Sequence, residues 1–238
     1  MKILSIECSA SPCSAAITEN GKLIACDFVN VGLTHSQILM PMVEKVLSSS
    51  KTELKEIEGF AVSAGPGSFT GIRIGISAVK GLAAAGKIPC APISTLYSMA
   101  YNYIDTDCII CSVMDARCNQ VYNALFDICG GKITRLCEDR ALMCEELAKN
   151  LKEMSQKYKK RVIIVGDGTD VFFPFAQYID NIEKSSDERR FQNAVSVGLA
   201  ATECFNTGNT LSPEAILPVY LRLPQAEREL KLKKETEK

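Results

Sequence analysis

The order of the predicted secondary structure most constrains this fold, because the same order occurs twice along the chain. Apolar or alternating runs, separated by turn residues, predict three strands in the first half: residues 2–7, 14–18 and 23–29. Asn20-Gly21 predicts a hairpin between the second and third strands. An amphipathic helix follows, with a capping-box pattern at Thr34 and Gln37, and a strand at residues 60–64 then leads into a long helix.

The second copy of this order begins after the polar residues 105–107. Its predicted strands are residues 108–114, 121–128, 132–137 and 161–165. An amphipathic helix, with Leu147, Leu151 and Met154 on its inner face, precedes the last of these strands. The final helix is predicted to start beyond Gly168, to be interrupted at residues 183–190 and to resume over residues 194–206.

A repeat of three antiparallel strands, helix, strand and helix predicts an α/β protein of two ribonuclease-H-like halves, the architecture of actin, Hsp70 and sugar kinases. Each half is expected to contain one mixed sheet. The predicted N-terminal half is residues 1–104 and carries the two long helices, and the predicted C-terminal half is residues 105–222. Residues 223–238 form a charged segment with little apolar periodicity, which predicts a disordered tail.

A glycine-rich turn at residues 65–68 joins the fourth strand to the long helix. Such a turn can present backbone N–H groups to a phosphate, but the nucleotide-binding fingerprints fail here. A P-loop would need glycine at Thr70 and lysine at Gly71, and a dinucleotide fingerprint also fails at Thr70. Ser68 or Thr70 is expected to cap the helix.

Small residues share one face of this long helix: Gly71, Gly75 and Ala78, with Leu82 beside them. A glycine inside a helix costs roughly 1 kcal/mol relative to alanine, so two on one face indicate that another backbone comes very close. Three interpretations stay open: packing against the chain's own sheet, a groove for the helix of a partner subunit, and contact with a ligand.

Residues 63–75, with the sequence SAGPGSFTGIRIG, resemble the signature of the TsaB (YeaZ) family. Shorter matches extend the resemblance along the chain: residues 2–7, 35–36, 114–117 with 121–122, 166–168 and 218–222. The resemblance implies the same two-half fold. It also implies a role in making N6-threonylcarbamoyladenosine (t6A) at adenosine 37 of tRNAs that read ANN codons.

By that resemblance the chain is a non-catalytic subunit, an inactive paralogue that binds the TsaD-type catalytic subunit. A TsaE-type ATPase completes the complex, the chain forms a homodimer when alone, and tRNA is contacted only indirectly. The implied contact uses the two long helices, with these interface residues: Ile38, Met42, Val46, Gly71, Ile72, Gly75, Ala78 and Leu82. On this reasoning, Gly75→Leu is expected to leave the fold largely intact and to abolish partner binding.

The repeat also predicts a candidate nucleotide site between the halves. In kinases and actin, each half supplies an acid near the end of its first strand, and the equivalent residues here are Glu7 and Asp115. The Gly166-Asp167-Gly168 turn is a candidate adenosine contact or a plain strand exit. A small ATP-dependent phosphotransferase therefore stays open as an alternative, although no glycine directly follows Glu7 to bring the backbone close to a phosphate.

Metal and protease chemistry have less support. The single histidine, His35, excludes a two-histidine metal site within one chain and lies at the start of a predicted helix. A serine protease would need His35 as its base and Ser36 or Ser68 as its nucleophile, and neither serine lies in a G-x-S-x-G motif. The sequence therefore predicts no metal and no cofactor.

Composition argues against two further classes. The net charge of −1 gives no overall basic surface for nucleic acid, and no run approaches the roughly 18 apolar residues of a membrane span. Glu7 interrupts the apolar start, so we expect no signal peptide and a cytoplasmic protein without membrane contact. There the 11 cysteines are expected to be reduced and structural, and Cys108 and Cys111 to face opposite sides of one strand.

Overall fold

The computed structural model describes residues 1–222, so the predicted tail at residues 223–238 lies outside the described residues. The strands are β1 (Lys2–Glu7), β2 (Cys13–Glu19), β3 (Lys22–Val29), β4 (Gly59–Gly65), β5 (Cys90–Ser94), β6 (Cys108–Asp115), β7 (Gln120–Cys129), β8 (Lys132–Arg135), β9 (Arg140–Met143), β10 (Val162–Val165) and β11 (Ile182–Lys184). The helices are α1 (His35–Ser49), α2 (Phe69–Ala84), α3 (Thr95–Ala100), α4 (Cys144–Tyr158), α5 (Thr169–Ala176), α6 (Asp187–Arg190) and α7 (Ala194–Thr207). None of the helices described there is long and apolar enough to cross a membrane.

The two sheets have the same strand order. The first runs β3-β2-β1-β4-β5 and the second β8-β7-β6-β10-β11, so that β1 corresponds to β6 and β4 to β10. In each sheet the first two pairings are antiparallel and the last two are parallel. The predicted repeat and its two ribonuclease-H-like halves are confirmed. β9, which pairs with β7, is an addition that the sequence did not predict.

The central strands of the first sheet are covered by helices on both faces. On one face, Leu4, Ile6 and Val62 pack beneath α1 and α2. On the other face, Ile3 and Ala61 pack against α7. Because helices cover both faces, β1 and β4 are buried along nearly their whole length, and the polar side chains that they do carry, Ser5, Glu7 and Ser63, make hydrogen bonds inside the protein.

Two helices cross the predicted division at residue 104. α3 precedes this residue but packs on the second sheet, where Leu96 and Met99 join Ile110 and Phe126. α7 follows it but packs on the first sheet. The prediction of one interrupted final helix is therefore wrong, because β11 separates α5 from α7 and these two helices cover different sheets.

The starts of α1 and α2 differ in how they are capped. The hydroxyl of Ser68 accepts a hydrogen bond from the backbone N–H of Gly71 at 3.2 Å, so the predicted cap of α2 is confirmed. Thr34 is the N-cap residue of α1, but its side chain makes no capping hydrogen bond. The predicted capping box is wrong, and the first turn is closed by the Gln37 N–H donating to the Thr34 carbonyl at 2.9 Å.

Candidate functional site

An apolar groove lies between α1 and α2, on the side of these helices that faces away from the first sheet. Its volume is about 500 Å³. The lining residues come from both helices: Ser36, Leu39, Met40, Phe69, Thr70, Arg73, Ile74, Ser77 and Ala78. Met40 is 39% exposed, and Ile74 and Ala78 are half-buried. The described part of the chain therefore leaves apolar surface uncovered here.

Most of the predicted interface residues do not line this groove. Five of the eight are buried in the chain's own core: Met42, Val46, Gly71, Ile72 and Gly75. The other three are half-buried: Ile38, Ala78 and Leu82. Of the eight, Ala78 is the one that lines the groove.

The two predicted close-contact glycines of α2 face the first sheet. A Cβ added at Gly71 would lie 2.0 Å from the carbonyl oxygen of Cys8, and one added at Gly75 would lie 3.3 Å from Cγ2 of Val62. The backbone that comes close at Gly71 is that of Cys8, the residue directly after β1, and Gly75 meets side chains of the first sheet, so both contacts favour the first of the three interpretations. The expectation for Gly75→Leu is corrected for the same reason, because a leucine there has to enter the core.

A stack of three side chains borders the groove at the start of α2. The rings of Phe69 and Tyr220 are stacked with centroids 4.9 Å apart, and the guanidinium of Arg73 lies 3.8 Å from the Phe69 centroid. Arg73 Nε also donates to the Tyr220 hydroxyl at 2.8 Å. Close by, the Val219 N–H donates to the Ala64 carbonyl at 2.7 Å. This stack was not predicted, although the late motif at residues 218–222 contains Tyr220.

A second concave site, the interlobe cleft, lies where the two halves meet. Its volume is about 600 Å³. Its lining includes polar side chains from the β1–β2 loop, α1, the start of α2 and the second half: Ser9, Ser11, His35, Ser68, Thr70, Asp115, Arg117, Tyr122 and Asp167. Of the four predicted nucleotide-site residues, Asp115 lines this cleft, whereas Glu7, Gly166 and Gly168 are absent from its lining.

Glu7 is fully buried at the end of β1. One carboxylate oxygen accepts from the hydroxyl of Ser63, and the other accepts from the backbone N–H of Ser9 at 2.5 Å. Burial raises the pKa of Glu7, and the hydrogen bonds from Ser63 and Ser9 oppose that rise. Both oxygens are therefore occupied within the chain, and the side chain acts as a link between β1, β4 and the loop that follows β1.

The two acids that do line the cleft have different surroundings. Asp115 accepts from the backbone N–H of Arg117 at 2.7 Å, and the Arg117 guanidinium lies 3.4 Å from its second oxygen. Asp167 accepts from Nε2 of Gln192 at 2.7 Å. Burial raises the pKa of Asp167 to about 6, and the negative charges of Asp115 and Glu7 act in the same direction.

Gly166 and Gly168 pack against the backbone of β6. A Cβ at Gly166 would lie 2.0 Å from the carbonyl oxygen of Val113, and one at Gly168 would lie 2.7 Å from the carbonyl carbon of Met114. Gly166 also has a φ of +108°, which favours glycine. Glycine is needed at both positions because the chain leaving β10 passes very close to the backbone of β6. Asp167, between the two glycines, lines the cleft.

The turn between β6 and β7 forms another part of the cleft rim. Arg117, Cys118 and Asn119 have φ values of 67°, 56° and 54°, so three successive non-glycine residues are left-handed. Arg222 donates to the carbonyl of Ala116, which fastens the end of the described chain to this turn. The late motif thus contacts the start of α2 through Tyr220 and the cleft rim through Arg222.

Of the residues considered for metal and protease chemistry, His35 and Ser68 make contacts that belong to the fold. His35 is the first residue of α1, and its Nε2 lies 3.2 Å from the Ser11 carbonyl. Ser68 caps α2, and Ser36 lines the groove. Within residues 1–222 no group of three or more His, Cys, Asp and Glu side chains is arranged to hold a metal ion.

Comparison with known proteins identifies the family. A family model described as "TsaD: tRNA N6-adenosine threonylcarbamoyltransferase" matches residues 30–230. The "tRNA threonylcarbamoyladenosine biosynthesis protein TsaB" of Escherichia coli (strain K12) is 31% identical over 224 residues, which cover 93% of this chain and 95% of the relative. This chain belongs to the TsaB family.

Two further comparisons differ in how much of the chain they cover. The structure "YeaZ from Pseudomonas aeruginosa" matches with a TM-score of 0.79 and 25% identity, covering 92% of this chain and 99% of that one. A tRNA N6-adenosine threonylcarbamoyltransferase of Trichlorobacter lovleyi is 31% identical over 105 residues, but these are 37% of this chain and 31% of the enzyme. The similarity to TsaB thus extends over nearly the whole chain, and that to this transferase over a part of it.

Proposed function

We propose that this chain is the non-catalytic TsaB-type subunit of t6A biosynthesis and that it supports a TsaD-type catalytic subunit by binding it through the groove between α1 and α2. The near full-length match supports the pathway, since that relative is named for threonylcarbamoyladenosine biosynthesis. The uncovered apolar groove is the single observation that carries the mode of action.

The groove has the composition of a protein interface. Met40, Ile74 and Ala78 supply an apolar centre, and Ser77 and Arg73 lie among them on the exposed side of α2. Methionine, aromatic residues and arginine are enriched in the centres of protein interfaces. The Arg73 guanidinium is already stacked, so less side-chain freedom is lost when a partner binds.

The state of Glu7 supports a non-catalytic role. A phosphotransferase of this architecture would use Glu7 and Asp115 to manage magnesium and phosphate, whereas Glu7 is buried with both oxygens hydrogen-bonded. The alternative is tested by incubating the isolated chain with magnesium ATP and candidate acceptors. Turnover that is lost in Asp115→Asn would favour the phosphotransferase, and no turnover by the wild-type chain favours the subunit role.

Two methionines of equal exposure allow a matched test of the docking surface. Met40 lines the groove and is 39% exposed, and Met143 lies on β9 and is 40% exposed. We expect Met40→Asp to lose binding to the TsaD-type subunit, because a carboxylate in an apolar interface has to be desolvated, and Met143→Asp to keep it. Size-exclusion chromatography with light scattering measures the mass of each mixture.

A second groove variant and a fold control complete this experiment. Ser77→Arg places a large charged side chain on the exposed wall of the groove and should also prevent co-elution. Both variants should retain the circular dichroism spectrum and thermal midpoint of the wild type, since the altered residues are exposed. If Met40→Asp co-elutes with the TsaD-type subunit as well as Met143→Asp does, the groove is not the docking site.

The same groove would hold a second copy when the chain is alone. A two-fold dimer uses one patch on both copies, so the TsaD-type subunit and the second copy compete for it. The light-scattering mass should then change from a homodimer to a one-to-one complex as the catalytic subunit is added. The TsaE-type ATPase would join this complex, and the net charge of −1 agrees with an indirect role toward tRNA.

A further inference from the structure

Cys8 and Cys13 form a buried pair of thiols where β1 ends and β2 begins. Their Sγ atoms are 3.5 Å apart, and the residues are 2% and 0% exposed. The last paired residues of the two antiparallel strands are Glu7 and Ser14, so the next opposed positions are those of Cys8 and Cys13. Opposed residues have Cβ atoms about 4.5–5.5 Å apart, close to the roughly 3.5–4.5 Å range of disulfides.

We propose that Cys8 and Cys13 are an oxidisable dithiol that hydrogen peroxide converts to an intramolecular disulfide. In the first step, the Cys13 thiolate attacks one peroxide oxygen, which gives a sulfenic acid and releases hydroxide. In the second step, the Cys8 sulfur attacks the Cys13 sulfur, and the sulfenic oxygen leaves as water. Hydroxide takes up the proton lost from Cys13, so two thiols and one peroxide give one disulfide and two waters.

Either thiol can donate in this hydrogen bond, and we take Cys8 as the donor, which makes Cys13 the nucleophile. Donation from Cys8 lowers the pKa of Cys13, while the same bond together with burial raises the pKa of Cys8. Burial and the negative charges of Glu7 and Asp27 oppose the ionisation of Cys13 without reversing its lowered pKa. Because the thiolate is the nucleophile, Cys13 reacts first and Cys8 closes the bond.

The C-x-x-C pair of the second half has the opposite arrangement. Cys108 and Cys111 pack in separate apolar clusters on the two faces of the second sheet, as the strand periodicity predicted. Burial raises the pKa of Cys108 to about 11 and also raises that of Cys111. This pair therefore provides an internal control of equally buried thiols that face away from each other.

The new bond would constrain one wall of the interlobe cleft. It closes a ring of residues 8–13 that contains the cleft residues Ser9 and Ser11. The Ser9 carbonyl accepts from the Ser68 N–H at 2.6 Å, and the Ser11 carbonyl lies 3.2 Å from His35 Nε2. Oxidation would thus restrict the segment that connects the cleft to the starts of α1 and α2.

Peptide mapping of the full-length wild-type chain tests the proposal. The chain is treated with one equivalent of hydrogen peroxide, its remaining thiols are blocked with N-ethylmaleimide in denaturant, and the peptides are identified by mass spectrometry. No common protease cuts between Cys8 and Cys13, so we expect a single peptide that contains both, is lighter than its reduced form by two hydrogens and takes up N-ethylmaleimide at both cysteines only after reduction, with Cys108 and Cys111 blocked. The proposal is overturned if Cys8 and Cys13 are blocked while the exposed Cys26 and other surface thiols are oxidised.

Two serine variants test the assigned order of steps. In Cys8→Ser the sulfenic acid at Cys13 has no resolving thiol, so labelling of Cys13 by dimedone should rise at least several-fold over the wild type. Cys108→Ser is the matched control and should form the Cys8–Cys13 bond as the wild type does. Oxidation of wild-type Cys13 to sulfinic acid, with Cys8 still carrying N-ethylmaleimide, would show that the two sulfurs do not meet.

Discussion

Three glycines of α2 provide a graded test of how this helix is packed. Each can be replaced by alanine, which adds one methyl group to the same helix. The added Cβ would lie 2.0 Å from the Cys8 carbonyl oxygen at Gly71, and 3.3 Å from Val62 Cγ2 at Gly75. At Gly81 it would meet nothing within 4 Å. The same substitution is therefore expected to have three different effects on stability.

The magnitudes follow from helix propensity and from these distances. Gly81→Ala should raise the free energy of unfolding by about 1 kcal/mol, because alanine is the better helix residue. Gly71→Ala has the same gain, but ordinary contact begins near 3.4 Å, so α2 must move by more than an ångström from a backbone carbonyl. Overpacking costs about 1–3 kcal/mol, and the short distance to a backbone atom places Gly71→Ala at the upper end, so the net loss is up to about 2 kcal/mol. At Gly75 the Val62 methyl group has to move by only tenths of an ångström, so the gain in helix propensity and the cost of overpacking nearly cancel.

Urea denaturation followed by circular dichroism measures these changes as shifts of the midpoint. The expected order is Gly81→Ala above the wild type, Gly75→Ala close to it and Gly71→Ala below it. Gly75→Leu should unfold at lower urea than Gly75→Ala, because its larger side chain has to displace Val62. Equal midpoints for Gly71→Ala and Gly81→Ala would refute the close packing of α2 on the backbone of Cys8, directly after β1.

Two further predictions concern the interlobe cleft. Burial raises the pKa of Asp167 from 3.8 to about 6, so the folded state binds the proton more tightly and stability falls as pH rises through that window. Asp167→Asn keeps an oxygen that accepts from Gln192. At pH 7 this variant should be more stable than the wild type by up to about 3 kcal/mol, and near pH 4 the two should differ little. Equal urea midpoints at pH 7 would contradict this prediction. Cys118 has a φ of 56°, a left-handed conformation that is strained for a residue with a side chain and relaxed for glycine. Cys118→Gly should therefore raise the thermal midpoint, with a net gain of about 0.5–1 kcal/mol once the greater entropy of glycine in the unfolded chain is subtracted. A lower midpoint than the wild type would show that the backbone is not strained at this residue.

The strand order could be predicted because it depends on local pattern. Alternation, apolar runs and turn residues such as Asn20-Gly21 are visible within a few positions, and the repeated order then specifies the fold. The positions of α3 and α7 could not be predicted in this way. An amphipathic pattern shows that a helix has a buried face, but not which sheet covers it. Gly198 of α7 is an example: a Cβ added there would lie 2.9 Å from Ser5 Oγ of β1. The need for glycine at this position is visible only when α7 is known to pack on the first sheet.

The interface residues predicted from the sequence lie on α1 and α2, but most of them pack in the chain's own core and do not line the groove proposed for docking. Met42 and Val46 form the regular apolar stripe of α1, and such a stripe marks the side that covers the chain's own sheet. The groove is instead built from mixed positions such as Met40 and Ser77, which have no simple periodicity. Small residues carry the same ambiguity, since close backbone approach within a subunit and between subunits makes the same demand on the sequence.

The equivalent acids of the two halves connect the cleft to the groove. Glu7 and Asp115 end corresponding strands, yet Asp115 lines the cleft while Glu7 joins β1 to Ser63 of β4 and to the backbone of Ser9. Ser9 in turn accepts from the backbone N–H of Ser68, the residue that caps α2. A carboxylate used in this way holds the start of α2 against the first sheet. The docking proposed for the groove requires that the outer face of α2 be held in such a fixed position.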